Sequence, residues 1–333
     1  MVKLVQLQRP KARCVALVDE PSLRPLARVE SVYALAQEAI ASGVPLTTLV
    51  RQRVTDERLD YDDIHAGTGE WRLRLPIDHP LDPSRCLVSG TGLTHLGSAA
   101  NRQAMHGRMD AELTDSMKMF QLGVDAGRPR PGHVGAAPEW FYKGTGAILR
   151  AHLDPLEVPG YALDGGEEAE IAGVYVIDPA GQPRRIGMTM GNEFSDHKFE
   201  RLNYLNLAGS KIRTCAIGPE LVIDPDFDQV DGVVSIERDG STLWSKAIAT
   251  GEAEMCHSLA NIEHHHFKFE THRRAGDLHV HYFGAHSLSF GDGLELTDGD
   301  IMVVAFEQFG RALRNPISVV KSSGTPITVR PLA

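Results

Sequence analysis

Residues 164–177 read DGGEEAEIAGVYVI, so that four acids, Asp164, Glu167, Glu168 and Glu170, run directly into seven uncharged and mostly apolar residues. A short apolar run rich in β-branched and aromatic side chains is the pattern of a strand. Acids in front of such a strand ordinarily form a solvated turn. On an extended chain, however, residues i and i+2 point to the same face about 6.5 to 7 Å apart, so Glu168 and Glu170 can converge on one cation. Hard divalent cations select oxygen ligands, and Mg²⁺ takes a few carboxylates while keeping positions for water and substrate oxygens. A third acid is needed nearby. The segment GMTMGNEFSDHKFE offers Glu193 in a glycine-bounded turn, with Asn192 and Ser195 as polar neighbours and Asp196 as an alternative ligand.

Other segments repeat the β pattern: VVSI and TLW on either side of Asp239-Gly240, LHVHYF at 278–283 and IMVVAF at 301–306. Asp-Gly between two such runs is a hairpin signal. The prolines Pro76, Pro80 and Pro83 interrupt any regular element and predict a domain boundary. Before it, SVYALAQEAIASG has helical apolar spacing and a terminal glycine. The expected class is α+β, mainly β, with a small N-terminal α+β domain over 1–75 and a catalytic domain over 76–333. From about Ala99 to Leu122 a helical stretch carries Met105, Met109, Leu113, Met117 and Phe120, a stripe read as packing or as a cover over a site.

The net charge of −10, from 34 basic and 44 acidic residues, excludes a nucleic-acid surface, which needs a basic face. No apolar run approaches the roughly 20 residues that span a bilayer, and MVKLVQLQRPKARC is too polar for a secretory signal, so a cytoplasmic protein is expected. Cys14, Cys86, Cys215 and Cys256 show no C-x-x-C spacing and are expected to be buried thiols. Glu263-His264-His265-His266, followed by Glu270, His272, His279 and His281, suggests zinc by density alone. Adjacent histidines on a strand alternate faces, H-E-x-x-H spacing is absent, and His279 and His281 fall on one polar face of an alternating run, so surface or interface histidines are expected instead. Gly90-x-Gly92 is too short for a dinucleotide fingerprint, and Ser287 and Ser289 form no nucleophile elbow.

Taken in order, Glu168-x-Glu170, Gly191-Asn192-Glu193-x-Ser195, and Lys211 followed by Ala216-Ile217-Gly218-Pro219 resemble the fumarylacetoacetate hydrolase family over roughly residues 85–305. The resemblance implies a mixed β-sandwich or roll, with Glu168, Glu170 and Glu193 as ligands of Mg²⁺, for which Mn²⁺ can substitute. Glu193 stands where the family usually has aspartate. By the same resemblance Lys211 lies beside the substrate. Glu139-Trp140-Phe141-Tyr142-Lys143-Gly144 looks like the family's apolar strand ending in lysine, and Ser89-Gly90-Thr91-Gly92 like its glycine-rich loop. This makes Ser89, Thr91, Phe141, Lys143 and Asn192 the expected substrate-binding residues. A homodimer or dimer of dimers is implied, with a small 2-oxo sugar acid as substrate.

Hydrolytic members of the family carry an asparagine-tyrosine pair followed by histidine, and a G-T-P type loop, where this chain has Gly92-Leu93-Thr94-His95 and Gly299-Asp300-IMVVAFEQFG. The resemblance is instead to a branch that dehydrates 2-keto-3-deoxy-pentonates to 2,5-dioxopentanoate. In that chemistry a cation chelated by the C1 carboxylate and C2 oxo group acidifies C3, and Lys211, with a pKa lowered by desolvation and the cation, is the expected base. His95, Ser195 or a metal-bound water would protonate the leaving C4 hydroxyl. The competing readings are acylpyruvate C–C hydrolysis with His95 or His106 activating water, oxaloacetate decarboxylation, and a non-catalytic sugar-acid-binding protein.

Overall fold

The computed structural model describes residues 1–105, 114–321 and 324–332. Met109 and Leu113 of the expected stripe, and His106, lie outside them. The acid-led segment is the strand Ala169–Ile177, in which every residue is buried. It pairs antiparallel with Pro183–Asn192 on one side and with Leu278–Tyr282 on the other. Leu278–Tyr282 runs parallel to Cys86–Gly92, and that strand is antiparallel to Glu139–Thr145. Beyond Pro183–Asn192 the 13-stranded sheet continues through Leu221–Ile223 to Val2–Arg9, Ala12–Asp19 and Ser22–Pro25. The strands before the proline segment thus extend the sheet that carries the acids.

A central strand must be covered on both faces, which is why its sequence is apolar at successive positions rather than alternate ones. Ala172, Val174 and Val176 pack with Val32, Leu35 and Leu49 from the helices Val32–Ser42 and Leu46–Arg53. Ile171, with Met188 and Met190, packs against Val234, Ile236, Met302, Val304 and Leu313. These last belong to a five-stranded sheet that includes Val230–Arg238, Ser241–Thr250, Ile301–Ala305 and Leu313–Val319. The result is the expected mainly β, α+β sandwich.

The local signals act as their chemistry requires. Asp239 and Gly240 take φ 51° and 77°, the left-handed pair of a tight hairpin, and Arg238 registers with Ser241. Ser31 caps the first helix by accepting the Ala34 N–H at 3.1 Å, and Gly43 ends it at φ 67°. The proline segment has no regular element before the 3₁₀ turn Pro83–Arg85. The stretch from Ala99 forms two helices, Leu96–Met105 and Asp115–Ala126; Phe120 is buried against Leu93 and Ala99, with Met117 beside it.

The histidine cluster differs from its expectation. His264, His265 and His266 lie on the helix Leu259–Phe267, not on a strand, and His265, His266, His272, His279 and His281 are buried. His279 and His281 do share one face of Leu278–Tyr282, but the helix covers that face instead of solvent. His266 Nε2 lies 3.0 Å from His279 Nδ1, and the His266 and His281 rings stack at 4.3 Å. Burial, reinforced by neighbouring histidines, holds His266 well below its ordinary pKa and lowers His279 and His281 to about 3. Among the described residues the histidines form no group able to converge on a cation.

Because these folded-state pKa values are depressed from 6.5, the unfolded chain binds more protons between 6.5 and about 3. The neutral cluster therefore contributes its full stability above pH 6.5 and loses it as the pH falls towards 3. In His279→Gln, which removes one titrating ring, the thermal midpoint should fall less than in the parent between about pH 7 and about pH 5. Equal slopes in scanning calorimetry would show that the cluster does not take up these protons.

Candidate functional site

The acids stand at the start of the central strand, Glu168 just before it and Glu170 as its second residue. Ala169 registers with Asn192, and Glu170 with Gly191, whose missing side chain leaves room for Tyr282 and the Ala216 carbonyl. The Glu193 N–H donates to the Glu168 carbonyl at 2.9 Å, and the Gly166 and Ser195 backbones exchange hydrogen bonds of 2.9 and 3.0 Å. Between them Phe194 turns the chain at φ 47°, a conformation a bulky side chain adopts only when its surroundings enforce it. This directs Glu193 towards Glu168 and Glu170. Ligand oxygens of the three residues lie within 4.8 Å of one another, and all three side chains are buried.

Two buried lysines face the three carboxylates. Lys211 Nζ donates to Glu168 Oε1 at 2.6 Å and Glu193 Oε2 at 2.5 Å, and sits 4.8 Å from the centre of the Phe141 ring. Lys143 pairs with Glu193 Oε1 and donates to the Phe194 and Lys211 carbonyls at 3.1 and 2.9 Å. Ser195 Oγ donates to Glu193 Oε2 at 3.0 Å, and the Gly284 N–H to Glu170 Oε2 at 2.7 Å. Burial and the charges of Glu193 and Glu168 push Glu170 well above the usual carboxylate range. Burial and Glu168 also raise Glu193, outweighing its two lysines. For Glu168 burial is overcome by Lys211 and His197, and its carboxyl stays well below that range. Burial disfavours charge on Lys211, but Glu168 and Glu193 outweigh it, so its pKa lies above the ordinary value. The lowering expected from desolvation is thus reversed by the carboxylates themselves.

Three buried carboxyls, of which Glu170 and Glu193 are raised by burial and by their acidic neighbours, fit a hard divalent cation, which removes the repulsion and takes oxygen ligands. Among the described residues this is the one His, Cys, Asp or Glu group with that geometry. The fold therefore brings together Glu168, Glu170, Glu193, Lys211, Lys143 and Phe141. Asn192 is adjacent but engaged: its Oδ1 accepts the Glu168 N–H at 3.1 Å and its Nδ2 donates to Met302 Sδ at 3.4 Å. Ser89 and Thr91 hydrogen-bond the His281 ring at 2.8 and 2.7 Å. By strand alternation their side chains lie on the sheet face opposite Glu170, so Gly90 faces the acids' side.

Asp196 caps the helix His197–Leu202 and binds Arg213 at 3.0 Å, apart from the triad. His95 is buried with both ring nitrogens held, by Thr94 Oγ1 at 2.9 Å and Thr250 Oγ1 at 3.0 Å, and burial lowers its pKa to about 3. One participant escaped sequence reasoning. His197 is buried with Nε2 3.1 Å from Glu168 Oε1, and the available signal was Asp196 as a helix cap, which starts a helix there and turns its first side chain back towards the acids.

No family model matches the sequence, and no curated protein matches it. Solved structures do match in fold. 2-Keto-3-deoxy-D-arabinonate dehydratase complexed with magnesium and 2,5-dioxopentanoate superposes with TM-score 0.70 at 19% identity, over 96% of this chain and 100% of that one. 2-Hydroxyhepta-2,4-diene-1,7-dioate isomerase from Mycobacterium marinum gives 0.58 at 17%, over 98% and 100%. 5-Carboxymethyl-2-hydroxymuconate delta-isomerase from Mycobacterium smegmatis gives 0.56 at 16%, over 96% and 100%. The chain has the fold of these enzymes, the fumarylacetoacetate hydrolase fold that its motifs resemble. Among the described residues no helix is long and apolar enough to cross a membrane.

The Lys143 pairing carries a stability consequence. Lys143→Met should lower the unfolding free energy by about 3 to 5 kcal/mol, because Glu193 keeps a buried charge with one counter-ion fewer. Denaturant titration without added cation checks this, and a variant as stable as the parent would mean that Glu193 does not rely on Lys143.

Proposed function

We propose that this chain is a Mg²⁺-dependent hydro-lyase of the fumarylacetoacetate hydrolase family that dehydrates a 2-keto-3-deoxy-pentonate to 2,5-dioxopentanoate. The observation that carries the reading is the buried group Glu168, Glu170 and Glu193 with Lys211 in contact with two of its members. The magnesium and 2,5-dioxopentanoate bound to a dehydratase of the same fold support it. The three glutamates would hold Mg²⁺, or Mn²⁺ in its place. When bound, the cation supplies Lewis acidity and a template for the substrate's C1 carboxylate and C2 oxo group.

Lys211 takes the C3 proton. Glu168 and Glu193 are what hold its pKa up; with their charge committed to ligation, burial remains and favours the neutral amine a base requires. Phe141 gives the amine an apolar neighbour, and Lys143 keeps Glu193 in place. Asn192 holds the backbone of Glu168, while Ser89 and Thr91 anchor the strand whose Gly90 faces the substrate side. The C4 hydroxyl leaves as water and the product tautomerises to the C5 aldehyde. Of the two side chains weighed as its acid, Ser195 adjoins the triad, whereas His95 has both nitrogens engaged.

That engagement of His95 removes one of the two histidines, His95 and His106, weighed as the base that acylpyruvate hydrolysis needs to activate water. Retention of all three acids favours an enzyme over a sugar-acid-binding protein. In this reading residues 1–75 form a small α+β domain, 76–333 carry the chemistry, and the protein works in the cytoplasm as a homodimer or dimer of dimers. Sheet edges left open by a single subunit give the physical motive for assembly.

Three measurements bear on it. Incubated with Mg²⁺ and 2-keto-3-deoxy-D-arabinonate or its L-enantiomer, the enzyme should yield a product lighter by one water, whereas release of pyruvate from an acylpyruvate would establish the hydrolase. Lys211→Met should retain cation and pyruvate binding while turnover drops by about 10² or more; turnover near the parent's would assign the base elsewhere. Light scattering at micromolar concentration should report a dimer or tetramer, and a stable monomer would contradict the assembly.

A further inference from the structure

We infer that His197 is a positioning residue that fixes the carboxylate of Glu168 for cation ligation, an inference that rests on the metal-dependent reading above. Glu168 is the least enclosed of the three acids, at 8% exposure against 1% for Glu170 and 0% for Glu193. It is therefore the one with most freedom to rotate away. Its Oε1 takes two donors, Lys211 Nζ at 2.6 Å and His197 Nε2 at 3.1 Å. A carboxylate only accepts, so Nε2 carries the hydrogen. The lysine, as proposed base, must be free to move during turnover. The histidine is the donor that stays.

Among the described residues, His197 Nδ1 is buried without a hydrogen-bond partner. The enclosed rings of His281 and His95 engage both nitrogens, with Ser89 and Thr91 and with Thr94 and Thr250, whereas His197, like His79 away from the site, leaves one unmet. An unmet buried nitrogen is unfavourable, and among the described residues the hydrogen bond to Glu168 is the polar contact the ring makes in return. The ring is also held in place sterically. A side chain at Gly166 would run into it, and the Phe290 ring lies 5.3 Å away, centre to centre. Gly166 in turn is tied to Ser195 by the paired backbone hydrogen bonds that shape the Glu193 turn. Outer-shell donors of this kind orient a ligand, and their loss typically weakens metal affinity about 10- to 100-fold.

The test compares His197→Phe, which keeps an aromatic ring without the donor, with His197→Gln, whose amide reaches as far as Nε2. Mg²⁺ and Mn²⁺ affinities are measured by calorimetry, and thermal midpoints without cation. The Phe variant, shown to be folded by a cooperative cation-free transition, should bind cation about 10- to 100-fold more weakly, and the Gln variant should recover most of the affinity. Should the Phe variant fail to fold, His197→Asn, too short to reach Glu168, replaces it: weak binding by Asn with retention by Gln supports the role, and equal binding by the two overturns it. Parent-like affinity in the Phe variant, with Glu168→Gln impaired, would overturn the inference and leave the metal reading standing. A parent that binds neither cation would remove both.

Discussion

Three carboxylates share a buried corner with two ammonium groups, and the surrounding architecture follows from the need to hold them there. Isolated buried charges are strongly disfavoured, and pairing offsets this only when geometry and hydrogen bonding are good. Lys143 meets the condition by donating to Glu193 and to two backbone carbonyls, and Lys211 by bridging Glu168 and Glu193. Fully ionised, three acids against two lysines would leave one negative charge in excess. Burial, together with repulsion from neighbouring glutamates, raises Glu170 and Glu193, and a bound cation would relieve both effects.

The sheet makes the arrangement rigid. Glu168 and Glu170 sit at the end of a strand bordered on both sides, and Glu193 at the end of its hairpin partner, so a single hydrogen-bonded register sets their spacing. The strained turn at Phe194 is held by the Gly166–Ser195 pairing and by Lys143 at its carbonyl. Across the same sheet the histidines form the opposite kind of interior. Neutral rings stack and hydrogen-bond beneath a helix, where burial keeps them uncharged. One layer of strands thus separates a charged face from a neutral one, with Ser89 and Thr91 on the neutral side although they flank Gly90 on the other.

What the sequence by itself determined is what neighbours along the chain control. Two-residue alternation puts Glu168 and Glu170 on one face, Asp239-Gly240 makes its hairpin, and Ser31 and Gly43 bound their helix. The approach of Glu193 was legible through the order of motifs. Only tertiary structure decided the rest. Lys211 and Lys143 meet Glu193 from 18 and 50 residues away, and their carboxylate contacts, not desolvation, set the lysine's proton affinity. The run Glu263–His266 became a helix covering other histidines because burial against the sheet outweighed its polar composition. His197 entered the site because a helix begins at Asp196 and turns its first side chain onto Glu168. Local spacing specifies which way a side chain points, whereas its charge and partners depend on groups that only folding brings within a few ångströms.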